Sequence, residues 1–271
     1  MSSLEAIVLG FVQGLTEFLP ISSSGHLRIV PAFLGWEDPG AGFTAVIQLG
    51  TMAAVLIYFR ADLWRIASAW LAELRLPYAL RSQDANLGWF IVLGTIPIAV
   101  FGVIFGNAIE TGARSLYLIG SALIVFSFVM LAAERAGSHR RSIEAMNARD
   151  GVFIGLFQAL ALIPGVSRSG ATISAGLFRN FDRVAAARYS FLLSVPAVVL
   201  SGLFELRKVG EKGGPSVGAT VIATLVAFVV GYAAIAWLLR YLGTHSLRIF
   251  VVYRVALGAL VLLLTASGSI S

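Results

Sequence analysis

The chain has 271 residues, 58% of them hydrophobic and only 13% charged, with a mean hydropathy of +0.87. A soluble domain carries nearer ~25% charge and ~45–50% apolar residues, so this composition describes an integral membrane protein. The net charge of +6 does not mark a nucleic-acid partner, because most Lys and Arg sit in short loops beside apolar runs. The absence of cysteine excludes disulfides, thiol nucleophiles and Cys-ligated metals, the three scattered histidines exclude an HExxH helix, and no GxxxxGK[ST] motif points to ATP.

The first apolar run, Leu4–Leu19, has no basic segment before it and so reads as part of the mature fold, not as a cleaved leader. It halts at Pro20-Ile21-Ser22-Ser23-Ser24-Gly25 and resumes for only about ten residues from His26. Gly42–Phe59, Leu87–Phe105 and Ser115–Ala133 are each long enough for the ~20 residues that a bilayer crossing needs. Gly151–Ile163 then halts at Pro164-Gly165-Val166-Ser167-Arg168-Ser169-Gly170 and resumes briefly through Leu177. Three further runs of spanning length follow, Ala187–Leu206, Val217–Leu239 and Ile249–Ala266. Proline and glycine free backbone groups that lipid cannot satisfy. Each broken run is therefore expected to be a re-entrant helical hairpin buried in protein, beside six full transmembrane helices in one all-α membrane domain, 1–271.

The two breaks resemble each other. A shift of 145 places Gly10 on Gly155, Gln13 on Gln158, Ser22 on Ser167, Ser24 on Ser169 and Gly25 on Gly170. Polar residues at fixed spacing are not a membrane default. Three spans between the hairpins would invert the second copy, giving an inverted-topology repeat with halves of about 1–145 and 146–271 whose breaks meet near the midplane. Thirteen arginines fall on one face, and Arg28, Arg114, Arg207, Lys208 and Lys212 on the other. The arginine-rich face is expected to be cytoplasmic, so the first hairpin opens outward.

An ionisable residue inside a span costs roughly 2.5–3.5 kcal/mol, so each one needs a reason. Glu17 lies one turn after Gln13 on the same helix face. Ser22, Ser23, Ser24 and Gly25 precede a helix, where hydroxyls and unpaired N–H groups favour an anion such as phosphate. Plain N-capping explains any single serine equally well. Arg168 at membrane depth suits bidentate contact with a phosphate, or else a structural ion pair with Glu17. His26 has the titration range of a general acid or base, or else fills a polar position near the surface. Gln48, Gln158 and Thr172 read as partners of the breaks or as interhelical glue, and Arg254 as a side chain snorkelling to the cytoplasmic edge. Gly10-x-x-x-Gly14 and Gly102-x-x-x-Gly106 permit close helix contact and leave a homodimer open.

Gln13-Gly14-Leu15-Thr16-Glu17-Phe18-Leu19-Pro20-Ile21-Ser22-Ser23-Ser24-Gly25-His26 resembles the first signature of the undecaprenyl-diphosphate phosphatase, or bacitracin-resistance, family. Pro164-Gly165-Val166-Ser167-Arg168-Ser169-Gly170-Ala171-Thr172 resembles the second. The resemblance implies a bacterial inner-membrane enzyme that removes the terminal phosphate of undecaprenyl diphosphate, recycling the carrier lipid for the cell wall and conferring bacitracin resistance. It implies catalytic roles for Glu17, Ser23, His26 and Arg168. Substrate contacts fall at Gln13, Ser22, Ser24, Gly25, Ser167, Ser169, Gly170 and Thr172. A divalent cation, Mg²⁺ or Ca²⁺, is implied as cofactor, with Glu17 as its protein ligand. Many members carry a glutamate where this chain has Gln13, which cannot bear that charge. The expected site opens to the extracytoplasmic side, needs neither ATP nor nucleic acid, and leaves the nucleophile open between Ser23, His26 and water. The alternative is a transporter or flippase of a polyprenyl phosphate lipid.

Overall fold

The computed structural model describes residues 1–112, 115–205 and 216–270. Among these every regular element is helical. α1 (Ser3–Phe18) and α2 (Ser23–Leu34) flank the first break, and α3 (Gly40–Tyr58) runs into α4 (Arg60–Ala72) through a 76° bend at Phe59. α5 (Gln83–Gly112) and α6 (Leu116–Ala136) follow; α7 (Ala148–Leu160) and α8 (Arg168–Phe178) flank the second break. α9 (Arg183–Glu205), α10 (Val217–Leu242) and α11 (Arg248–Ala266) complete the chain. Among the described residues four helices are long and apolar enough to cross a membrane: Gln83–Phe105, Leu116–Ala136, Val217–Leu242 and Arg248–Ala266. The α3–α4 pair makes a fifth if it counts as one span. The protein is therefore multi-pass. Apolar side chains such as Val103, Leu263 and Val252 stand exposed on the outer wall, where a lipid solvent accepts them.

Both broken runs are helix–break–helix, as their proline and glycine content dictates. α1 ends where Leu19 turns extended before Pro20, and α7 ends just before Pro164. The second helix of each pair starts earlier than the sequence suggested: Ser23 and Ser24 already lie in α2, and Ser22 alone is its N-cap. Arg168 likewise is the first residue of α8, behind the N-cap Ser167. Arg114, Arg207, Lys208 and Lys212, which entered the charge count, lie outside the described residues, as does the end of the expected Ala187–Leu206 span.

Small residues decide which helices touch. A Cβ on Gly10 would lie 2.4 Å from Ala223 O, and one on Gly14 would lie 2.8 Å from Ala227 O, so α1 packs directly on α10. The Gly10-x-x-x-Gly14 face is thus consumed within the chain and is not available to a second copy. On the other side, a Cβ on Gly155 would meet Gly94 Cα at 2.5 Å, seating α7 on α5. Between these pairs a core of Phe18, Phe59 and Phe191 fixes the end of α1 against α3 and α9, with Phe18 edge-on to Phe191 at 5.4 Å. At the arginine-rich end the fully buried Asp150 accepts from Arg141 and Arg179, and Glu134 from Arg183.

Candidate active site at the paired helix breaks

Glu17 sits in the last turn of α1, 7% exposed, and every donor around it comes from a different part of the fold. One turn earlier on the same helix, Gln13 Nε2 donates to Oε2 at 3.0 Å, as i,i+4 spacing requires. Ser23 Oγ, at the start of α2, donates to the same oxygen at 2.6 Å. On the other oxygen, Oε1, converge Gln48 Nε2 of α3 at 3.2 Å and the Arg168 guanidinium of α8. The ion pair between Glu17 and Arg168 joins residues 151 positions apart, and only the meeting of the two breaks brings them together. Thr51, on α3, accepts from Gln13 Nε2 at 3.4 Å and closes the group. Gln13 Oε1 is buried and has no hydrogen-bond partner among the described residues.

The backbone at the breaks is unusual in the same way twice. Ser22 (φ 77°, ψ 97°) and Ser167 (φ 76°, ψ 120°) both occupy positive φ, which costs a non-glycine residue about 1–3 kcal/mol. Each serine caps its helix by accepting from the amide three residues on, Gly25 N at 3.3 Å and Gly170 N at 3.1 Å. Each also pairs with the next serine but one, Ser22 with Ser24 at 3.3 Å and Ser167 with Ser169 at 3.2 Å. The first residues of both helices, Ser23 of α2 and Arg168 of α8, meet at Glu17, and helix N-termini brought together favour an anion.

The residues singled out in the sequence divide into three groups. Gln13, Glu17, Ser23 and Arg168 form one hydrogen-bonded cluster. Ser22, Gly25, Ser167, Ser169 and Gly170 build the turns around it, and Ser169 Oγ also donates to Leu19 O at 3.0 Å, stitching one break to the other. Ser24 is exposed beside them. Thr172 turns away: it donates to Arg168 O at 2.8 Å and lies 2.5 Å from Ser190 Oγ, fastening α8 to α9. His26 does not join Glu17 either. Its Nδ1 donates to Ser22 O at 2.7 Å, so in the neutral ring Nε2 is the acceptor, and it meets Tyr253 Oη of α11 at 2.6 Å. The two rings stack with centroids 5.6 Å apart. Gln158, the counterpart of Gln13, donates to Gly94 O and serves the α5–α7 contact.

Thr51 and Tyr253 escaped the sequence reading. Thr51 lies one turn from Gln48 on α3, a weak signal that was available; nothing local marks Tyr253 as a partner of His26. A narrow pocket opens beside the cluster, its polar end formed by Glu17, Thr51 and Arg168 and its walls by Met52, Val55, Val195 and Val198. The arrangement supplies a hydroxyl already hydrogen-bonded to a carboxylate, a guanidinium fork and a small pocket with partly apolar walls. That is the equipment for chemistry on an anion attached to a greasy tail.

Among the described residues no group of three or more His, Cys, Asp and Glu is placed to hold a metal ion. The donors that do face the site are one carboxylate, already engaged, and the free Gln13 Oε1.

The family model described as bacitracin resistance protein BacA matches residues 6–260. An undecaprenyl-diphosphatase from Nocardioides sp. (strain ATCC BAA-499 / JS614) is 55% identical over 271 residues, covering 99% of this chain and 98% of its own. One from Thermobifida fusca (strain YX) is 53% identical over 99% of this chain and 92% of its own. One from Mycolicibacterium smegmatis (strain ATCC 700084 / mc(2)155) is 56% identical over 99% and 98%. Whole-length identity of this order leaves no room for a different fold or a borrowed domain, and the chain belongs to the BacA bacitracin resistance family.

Proposed function

We propose that this protein is a membrane phosphatase that hydrolyses undecaprenyl diphosphate to undecaprenyl phosphate and inorganic phosphate. This returns the carrier lipid to cell-wall synthesis and confers bacitracin resistance. The observation that carries the reading is the 2.6 Å bond from Ser23 Oγ to Glu17 Oε2, with Arg168 on the other oxygen of the same carboxylate. A nucleophile, its base and an anion-binding fork share one carboxyl group.

The ion pair with Arg168 is the resting state. An incoming diphosphate competes for the guanidinium, and two phosphate oxygens match its fork as well as a carboxylate does. Glu17, released, takes the Ser23 proton as Oγ attacks the terminal phosphorus. The bond from that phosphorus to the bridging oxygen breaks, and its electron pair leaves with the lipid phosphate. Arg168 and the N-termini of α2 and α8 stabilise charge on the transferred phosphoryl group. Protonated Glu17 returns its proton to the departing lipid phosphate. A water, deprotonated by Glu17, then attacks the phosphoserine, and the Ser23 oxygen recovers the proton as phosphate leaves. The net change is the addition of one water across the anhydride. Met52, Val55, Val195 and Val198 line the apolar side of the small pocket next to Glu17 and Arg168, the side that suits a lipid tail.

The cofactor implied by the resemblance fits only in part. A resident Mg²⁺ or Ca²⁺ needs more oxygen ligands than one carboxylate supplies, whereas Mg²⁺ commonly binds through one or two carboxylates, waters and substrate phosphates. Glu17 and Gln13 Oε1 are the groups that would touch an ion brought in on the diphosphate, and it would neutralise phosphate charge there.

The finer architecture is an inverted repeat of six spans and two re-entrant hairpins in the bacterial inner membrane, with the site open to the extracytoplasmic side. Four correspondences at the same shift of 145 support the repeat. The capping box of α1, Ser2 with Glu5, recurs as Asn147 with Asp150 of α7. The strained Ser22 recurs as Ser167, and its capped Gly25 as Gly170. Gly10 on α10 recurs as Gly155 on α5. Paired breaks are also transporter architecture. A carrier needs a reversible anion site, but not a hydroxyl held on a base. The test is phosphate release from a C55 polyprenyl diphosphate by purified protein in detergent without ATP, beside transfer of a fluorescent polyprenyl phosphate across liposomes. Transfer without release would replace the phosphatase reading with the transporter one.

A further inference from the structure

Arg254 on α11 is the largest fully buried side chain among the described residues, 0% exposed. The sequence suggested that it snorkels to the membrane edge; the structure places it in the centre. Among the described residues no carboxylate pairs with it. A buried cation without an anion is expensive, so its other contacts must matter. Its Nε donates to Ser127 Oγ of α6 at 3.1 Å, and Ser127 is itself held by Leu123 O at 2.6 Å. Its two terminal nitrogens part company. Nη1 donates to Pro20 O at 3.3 Å, and Nη2 donates to Gly165 O at 2.9 Å.

Those two carbonyls are the same position in the two breaks, since 20 and 165 differ by the repeat shift of 145. Pro20 lies three residues before Ser23, and Gly165 three residues before Arg168. One planar fork of fixed width thus holds the two loops that carry the nucleophile and the phosphate-binding cation. The distance between its nitrogens is set by covalent geometry, which no pair of flexible side chains reproduces.

We propose that Arg254 is a positioning residue, a strut that sets the separation of the two breaks and hence the fit of Ser23 and Glu17 to Arg168. It touches none of the reacting atoms. It acts by making the two halves of the site one rigid unit, and correct placement of reacting groups removes a large part of a reaction barrier. Arg254→Lys keeps the charge but replaces two nitrogens at fixed spacing with one ammonium on a flexible stem, so the separation of the two carbonyls is no longer set by the side chain. The inference rests on the phosphatase reading only for its kinetic arm.

Two measurements test it on the full chain in detergent. The first is phosphate release by wild type, Arg254→Lys, Arg168→Lys and the double variant, with thermal unfolding measured alongside. A strut predicts that Arg254→Lys lowers kcat at least tenfold with a smaller change in KM. It also predicts that the double variant is far less impaired than the product of the two single effects, because both disturb one placement. Near-normal kcat in Arg254→Lys, or effects that simply multiply, would overturn it. The second measurement needs no activity. The chain has no cysteine, so spin labels placed through Ser24→Cys and Ile163→Cys report the distance between the breaks. Arg254→Lys should broaden or shift that distribution, and an unchanged narrow distribution overturns the strut. A strut seen in the distances, with no phosphate release from wild type, would leave Arg254 in place and sink the phosphatase reading alone.

Discussion

Glu17→Gln separates the two tasks the mechanism gives to one carboxylate. The amide is nearly isosteric but carries one acceptor oxygen and no charge. If that oxygen stays on Arg168, the amide nitrogen must face Ser23 Oγ and Gln13 Nε2, which now donate to Glu17 Oε2 at 2.6 and 3.0 Å. Ser23 loses its base, and a positioned base contributes typically ~10²–10⁴-fold, so kcat should fall by that factor. The lost charge-assisted bonds should cost about 2–4 kcal/mol of stability, since the pair is nearly enclosed, with side chains 16% and 5% exposed. Binding should behave differently. The diphosphate no longer competes with a carboxylate for the guanidinium, so KM should hold or fall. Steady-state phosphate release in detergent, with thermal unfolding to normalise for folded protein, gives all three quantities. A kcat within tenfold of wild type, or a loss carried by KM, would refute the assignment of Glu17 as base.

Other consequences follow from the same contacts. Arg168→Lys should lower kcat by about 10²–10³, the usual effect of removing one preorganised donor from a charged transition state, and near-normal turnover would count against the fork. Chelating divalent cations should raise KM more than it lowers kcat if the ion travels with the diphosphate; loss of kcat at saturating substrate would show a resident ion instead. Asp150→Asn should destabilise the protein by about 2–4 kcal/mol, below the ~3–5 expected for a fully interior pair because Arg141 and Arg179 are 27% and 36% exposed, with turnover per folded molecule kept. Gly10→Val should lower the unfolding temperature and activity together, because α1 must leave Ala223 O and takes Glu17 with it.

Much of the site was legible because charge and strong polarity are rare in this chain. Gln13 and Glu17 fall one helical turn apart, and the pairing follows from that spacing alone. Arg168 could be matched to Glu17 across 151 positions because a buried charge at membrane depth needs a partner. The sequence left open whether Arg168 serves Glu17 or a phosphate, and the geometry has it on Glu17 at rest. Helix starts were less legible: Ser22 takes a positive φ, so α2 begins among the serines rather than after them. The resemblance implies a catalytic role for His26 beside Glu17, but nothing local in the sequence says which way the ring points. The ring's direction is fixed by Ser22 O and by Tyr253, which lies on a helix more than two hundred residues later. Arg254 was misread for a similar reason. Its position along α11 gives depth within the helix but not which face looks inward, and only the approach of both breaks makes that face polar.

We propose that Glu17, Ser23 and Arg168 form one phosphatase centre. Its most direct test is the release of inorganic phosphate from C55 polyprenyl diphosphate by wild type, Glu17→Ala, Ser23→Ala and Arg168→Ala, each purified, folded and free of ATP. Wild type should release phosphate steadily, and release should collapse in all three variants. Release that survives any one of them at near wild-type rate, or none from folded wild type, would contradict it.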